Sequence, residues 1–200
     1  MSLTSFLKGF EGEAHGWLSK KMFLPSETYK DFNNVTIPTG NGTTQIDHII
    51  VSRYGIFVVE TKNLKGWIFG DEKSAKWTQS LYGKKYQFQN PLRQNYRHTK
   101  ALSDFLGIDH SKIHSMVMFW GECEFKTQMP ENVMMKGYTK YIKSKMDVLF
   151  TDEEVDQICE AIRTGRLPAN WTTKQQHLQS LHDRHNSKTC PKCGSELVLR

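Results

Sequence analysis

The chain has little cysteine and no long apolar run, and each absence excludes a class. Four cysteines occur in 200 residues. Cys123 and Cys159 stand alone, while Cys190 and Cys193 form a C-x-x-C followed by Gly194. That is not the framework of a disulfide-stapled secreted domain, and a reducing, cytoplasmic setting is expected. No apolar stretch approaches the roughly 20 residues that cross a bilayer, so no membrane partner is expected. The N-terminus, MSLTSFLKGFEGEAHGWLSKK, carries Glu11, Glu13 and His15 where a signal peptide keeps an apolar block, which argues against export. Internal repeats and low-complexity runs are also missing.

What is present suits one α/β domain of ordinary size with a tail. Hydrophobic residues make up 38% and aromatics 12%, enough for a real core. Lysine and arginine outnumber the acids 27 to 21, giving a net charge of +6 and a pI near 9.1. Such an excess is either a solvated basic surface or a match for a polyanion, whose counterions are released when lysines neutralise its phosphates.

Along the chain, Phe6, Phe10, Trp17 and Leu18 have helical spacing over residues 4–22, and Pro25 stops that helix. YKDFNNVTIP reads as a strand ending at Pro38, followed by the turn cluster TGNG. TQIDHIIVS and GIFVVETKN are the clearest strands, joined at RYG, and GWIFG and KWTQSLYGKKYQFQ read as shorter β segments. Asn90-Pro91 starts a helix that runs to about Leu106 and stops at Gly107. KIHSMVMFWG is a further buried strand. TDEEVDQICEAIRTG is a helix capped by Thr151, with an acidic first turn. Residues 122–149 give no clear assignment, and 172–188 read as a polar helix or linker. The sum is an α/β domain built on a mixed sheet covered by helices.

Charge appears where the strands leave the core. In GIFVVETKN, Ile56, Val58, Glu60 and Lys62 share one face and Phe57, Val59 and Thr61 the other, so both faces are apolar until the C-terminal end. Ligands usually bind at that end of an open α/β sheet. Asp47 interrupts the preceding strand in the same way. An even hairpin loop near Tyr54-Gly55 sets Asp47 opposite Glu60 or Lys62; an odd loop needs a bulge. Directly paired residues lie about 5 Å apart, close enough for two carboxylates to share one hard cation. Without it one of them is driven to protonate. Mg²⁺ or Mn²⁺ there would polarise a phosphoryl oxygen and acidify a bound water, with Lys62 orienting that water and stabilising developing charge. On its own, E-x-K on a strand is more often a surface salt bridge.

An aspartate followed after about a dozen residues by Glu-x-Lys on adjacent strands resembles the PD-(D/E)xK nuclease superfamily. The nearer resemblance is to the nuclease-related domain (NERD) family. It is carried by GFEGEAHGWL, QIDHIIVSRYGIFVVETKN, GWIFG with WTQ, and FQNPLRQNYRH, over roughly residues 9–107. The aspartate follows Ile46 where many such nucleases have proline. The resemblance implies a restriction-endonuclease-like fold and Mg²⁺- or Mn²⁺-dependent phosphodiester hydrolysis of nucleic acid, with DNA the expected substrate, in DNA processing or repair. It implies Asp47 and Glu60 as metal ligands, the Thr61 carbonyl as a third, Lys62 as the catalytic lysine, and Glu13 and Gln94 as the helix acid and helix glutamine. Beside these, Glu13 and Gln94 also read as ordinary helix positions, and His48 as a packed histidine on the opposite face. Arg93, Arg97, His98 and Lys100 are candidate nucleic-acid contacts on the helix after Asn90. Lys84, Lys85, Lys140, Lys143 and Lys145, interleaved with Tyr82, Tyr86 and Tyr96, extend that surface or form solvated edges.

The tail, CPKCGSELVLR, resembles half of a topoisomerase-type four-cysteine zinc finger. Structural Zn²⁺ takes four ligands, and the sequence stops at Arg200 before a second pair. A truncated finger, one metal shared by a homodimer, and an empty pair are the three readings, the first favoured. The expected organisation is a nuclease-related domain over 1–168, a polar linker or helix over 169–188 and a partial zinc knuckle over 189–200. The alternatives to an enzyme are a catalytically silent DNA-binding module and an assembly protein using its tail.

Overall fold

The computed structural model describes residues 24–186, with side chains through residue 183. The helix expected over residues 4–22, Glu13 on it, and Cys190 and Cys193 lie outside the described residues.

The core is a five-stranded sheet in the order β1 (Lys30–Thr39), β2 (Gly42–Ser52), β3 (Gly55–Asn63), β7 (Ile113–Trp120), β9 (Val133–Met134). β1, β2 and β3 are antiparallel neighbours, and β3–β7 and β7–β9 are parallel, so the sheet is mixed and β3 is its central strand. Gly55 through Glu60 are buried, as a strand covered on both faces requires. The β2–β3 loop is two residues long, with Ser52 paired to Gly55. Gly55 is obligatory: its φ is 120°, and a Cβ there would lie 2.7 Å from His114 Nε2. β1 runs one residue beyond Pro38, which an edge strand tolerates because it needs no second partner.

One face of the sheet packs Ile46, Ile56, Val58 and Ile113 against Leu102 of α1 (Pro91–Leu106) and Val155, Ile158 and Ile162 of α3 (Asp152–Gly165). The other packs Phe57, Val59, Met116 and Met118 against Tyr138 and Ile142 of α2 (Tyr138–Ser144). α1 begins as its sequence predicts, with Asn90 Oδ1 accepting from Leu92 N at 2.9 Å and Pro91 in the first turn, and ends at Gly107 in the left-handed region. In α3, Thr151 and Glu154 close a capping box. α4 (Trp171–Asn186) lies against β2, where Ser180 Oγ accepts from Thr43 N at 3.2 Å.

The expected single sheet is in fact two. β4 (Gly66–Phe69), β5 (Lys76–Leu81), β6 (Lys84–Gln89) and β8 (Cys123–Phe125) form a separate four-stranded sheet in the order β6-β5-β4-β8. Gly66, at φ 80°, turns the chain out of β3 into it. Its inner side packs Ile68 and Trp77 on Val117 and Phe119 of β7 and on Leu92 of α1. Residues 71–75 wrap the start of α1: Asn90 Nδ2 donates to Asp71 O (3.0 Å) and Ser74 O (2.7 Å), and Arg93 donates to Lys73 O.

Candidate active site

Asp47 sits where β2 loosens from both neighbours. The β2–β3 ladder closes with His48 paired to Val59, so the next position in register sets Asp47 against Glu60. On the β1 side, Asn34 lies between the pairs Asn33–His48 and Val35–Ile46 with a left-handed φ of 52°. Released from the ladder, the Asp47 carboxylate turns onto the next residue of β3. Its Oδ2 accepts from Thr61 N and from Thr61 Oγ1, both at 2.8 Å. N–H and C=O of one strand residue project to the same side, so the Thr61 carbonyl faces the Asp47 side as well.

Glu60 is 3% exposed and Lys62 20%, which puts the glutamate at the bottom of the site and the ammonium at its mouth. Lys62 Nζ donates to Glu60 Oε1 at 2.5 Å and to Gln94 Oε1 at 3.0 Å. Glu60 Oε2 lies 3.3 Å from His98 Nε2, and the other ring nitrogen of His98 lies 2.9 Å from Thr44 Oγ1. Gln94 and His98 are four residues apart on α1 and so share its inward face. That face is locked in place by Asn95, fully buried, whose Nδ2 reaches Val58 O (2.9 Å), Ser115 Oγ (2.8 Å) and Met116 O (2.9 Å).

The two carboxylates titrate in opposite directions. Burial, and then the charge of Glu60, push the Asp47 pKa up against the pull of the Thr61 hydrogen bonds and Lys62. Burial also pushes Glu60 up, but Lys62 and His98 outweigh it and hold its carboxyl below the ordinary value. The donor chemistry fits a hard divalent cation: Asp47 and Glu60 are register neighbours, the Thr61 carbonyl faces the Asp47 side, and all three offer oxygen. A cation between them would relieve the repulsion that raises Asp47. Among the described residues, no group of three or more His, Cys, Asp or Glu side chains is placed to hold a metal ion, so a cation here would rest on the two carboxylates and the carbonyl.

Asp47, Glu60, Thr61, Lys62, Gln94 and His98 therefore share one site. The remaining helix candidates are engaged elsewhere: Arg93 holds the 71–75 loop, and Lys100 pairs with Asp104 one turn on at 2.8 Å. Arg97 is half-buried on the same helix. His48 is buried on the opposite face, 3.9 Å from Asp31. Thr44, Asn95 and the Thr61 hydroxyl were not singled out by the sequence reading. An asparagine inside a helix, against its propensity, was the available signal for Asn95.

An α/β sheet with an acid in the middle of one strand and an acid and a lysine near the end of its neighbour defines a nuclease-like class. The chain belongs to the nuclease-related domain (NERD) family, whose model matches residues 8–120. It is also 39% identical over 183 residues to an uncharacterised protein of Bacillus anthracis, covering 88% of this chain and 85% of that protein. No solved structure matches it. Among the described residues, no helix is long and apolar enough to cross a membrane.

Proposed function

We propose that this protein is a metal-dependent phosphodiesterase of the PD-(D/E)xK type, acting on DNA in processing or repair. One observation carries the reading: Lys62 Nζ is held between Glu60 and Gln94, while Asp47, the register neighbour of Glu60, is turned onto Thr61 beside them. A protein that only binds DNA has no need of two neighbouring acids, one of them buried, with an ammonium fixed beside them.

In this proposal Asp47, Glu60 and the Thr61 carbonyl hold Mg²⁺ or Mn²⁺, which when bound polarises the phosphoryl oxygen and acidifies a ligated water. Lys62 faces the phosphorus, hydrogen-bonds the attacking water and stabilises the charge gathering on the non-bridging oxygens. The bond formed is P–O from water, and the bond broken is that to one ester oxygen, which leaves with a proton. Gln94 keeps the ammonium from collapsing wholly onto Glu60, and His98, braced by Thr44, fixes the Glu60 carboxylate. The resemblance that names Cys190 and Cys193 as half of a zinc knuckle adds Zn²⁺ as a second expected metal.

Nicking of supercoiled plasmid, with Mg²⁺, Mn²⁺ or EDTA, tests the proposal. Lys62→Ala is expected to cut slower by about 10²–10³-fold, the usual cost of removing one transition-state charge stabiliser, while DNA binding in a mobility-shift assay is retained. Equal behaviour of Lys62→Ala and wild type, or cutting that persists in EDTA, defeats it.

A further inference from the structure

The four-stranded sheet has a face that the core does not use up. By strand register, Ile68, Trp77, Gln79, Leu81, Phe88, Tyr86 and Lys84 all project to one side. The inner end of that side is packed: Trp77 stacks on Phe119 at 5.9 Å between ring centres and meets Phe88 at 6.3 Å. Phe119 is the register partner of Lys62 in the parallel β3–β7 ladder, so it projects to the same side of the large sheet as Glu60 and Lys62. The packed end of the small sheet therefore adjoins the catalytic lysine. From there the same side runs outward along the β5–β6 hairpin, through Tyr86 about 7 Å beyond Phe88 and Lys84 about 14 Å beyond it, counting two residues per step.

This outer stretch is open and cationic. Tyr86 is 51% exposed, and Tyr82, at the hairpin tip with a φ of 49°, is 93% exposed. β5 and β6 carry no acid, and of their lysines Lys84 shares this side, whereas Lys76 and Lys85 project from the other by the same register. On the opposite side of the sheet Trp67 is covered by Lys126, 4.7 Å from its ring centre, so that aromatic is already partnered. A tyrosine left almost fully in water at a strained backbone position contributes nothing to the core, and its ring face is free to stack.

We propose that the β5–β6 hairpin is a platform for an unpaired nucleic-acid strand, with Tyr82 and Tyr86 stacking on bases and Lys84 on the backbone, leading that strand to Lys62. The inference rests on the nucleic-acid reading above and narrows its substrate class to DNA or RNA with unpaired bases. The physical reason is that duplex bases already have both faces covered, whereas an unpaired base gains free energy by stacking on an aromatic ring. Lys84 supplies a salt-dependent part of the affinity through backbone phosphates, which carry no base information, so the preference for unpaired strands falls to the tyrosines.

Fluorescence anisotropy with a labelled single-stranded oligonucleotide and its duplex, in EDTA so that no cutting intervenes, reads the platform directly. Tyr82→Ala and Tyr86→Ala are each expected to weaken single-strand binding by about fivefold or more, and Tyr86→Phe to restore it, since stacking requires the ring and not the hydroxyl. Lys84→Ala should flatten the dependence of log affinity on log salt by about 0.7, a slope the tyrosine variants leave unchanged. Wild-type affinity in both tyrosine-to-alanine variants, or duplex bound as tightly as single strand, overturns the platform. If neither the plasmid nor the single-stranded oligonucleotide is cut in Mg²⁺ or Mn²⁺ but the tyrosine effect holds, the hydrolytic proposal falls and the platform stands; if cutting holds and the tyrosines are silent, the reverse.

Discussion

β3 of the five-stranded sheet is buried from Gly55 through Glu60 and opens only at Thr61, Lys62 and Asn63. β6 of the four-stranded sheet is exposed at every position but Phe88, which is half-buried. Both are strands of one chain, yet they answer to different constraints. In β3 the identity of each residue is set by what it packs against, and the charged residues are admitted only where the helix α1 brings partners to them. In β6 packing constrains Phe88, and the other side chains answer mainly to water and to whatever approaches from it. The lesson is that the candidate site lies on the sheet whose strands are buried on both faces, while the small sheet is anchored through Ile68 and Trp77 and leaves its outer hairpin in water.

The sharpest test of that division is to cut each sheet once and compare. Phe57 is fully buried and stacks on His114 at 4.7 Å. Phe57→Ala should cost about 3–5 kcal/mol of folding free energy in urea titration, and a cost near zero would mean that the large sheet is not the structural core. Next in size is Asn95→Ala, which strips Val58 O, Ser115 Oγ and Met116 O of a shared donor. It is expected to cost about 1–3 kcal/mol and to slow nicking, because the face carrying Gln94 and His98 is then no longer locked over β3.

Asp47→Asn should act in the opposite direction. In EDTA at pH 7 the variant is expected to unfold at higher urea than wild type, because it removes a buried charge that Glu60 opposes. Its amide oxygen still accepts from Thr61. The pH dependence follows in sign. A carboxyl raised by folding takes up its proton more readily in the folded state, so wild-type stability recovers this loss as pH falls through the raised Asp47 value, and the advantage of asparagine shrinks. Glu60 has the opposite linkage: its lowered value contributes stability at neutral pH that is lost as pH falls through it. Calorimetry of both proteins from pH 7 to 4 checks the convergence. Smallest of all, Tyr82→Ala and Tyr86→Ala should change stability by less than about 0.5 kcal/mol; a larger loss would make the hairpin part of the core after all.

Much of the large sheet and of the site was legible in the sequence, because the signals were local. Alternation marked β2 and β3, and caps at Asn90 and Thr151 marked α1 and α3; the parity of the β2–β3 loop was left open, and its two residues decide that Asp47 neighbours Glu60 and not Lys62. The second sheet was not legible as a separate body. β8 has three residues, too few for any periodicity, and it pairs with β4, which lies nearly sixty positions earlier in the chain. The His98 ring, bridging Thr44 and Glu60, was equally hidden, since it depends on how α1 is rotated over β3. Asn95 sets that rotation through three acceptors on β3 and β7, none of them near it in sequence.

The parting of β2 from β3 after His48 has a consequence for how such a pocket can work. With the ladder ended, the spacing between the two carboxylates is set by side-chain torsions and by the grip of Thr61, not by the rigid repeat of a sheet. Torsions are soft and ladders are stiff. An ion bound there, as proposed, would draw its ligands to the distance it prefers without deforming the scaffold beneath, and ions of different radius would then be accommodated by the same two strands.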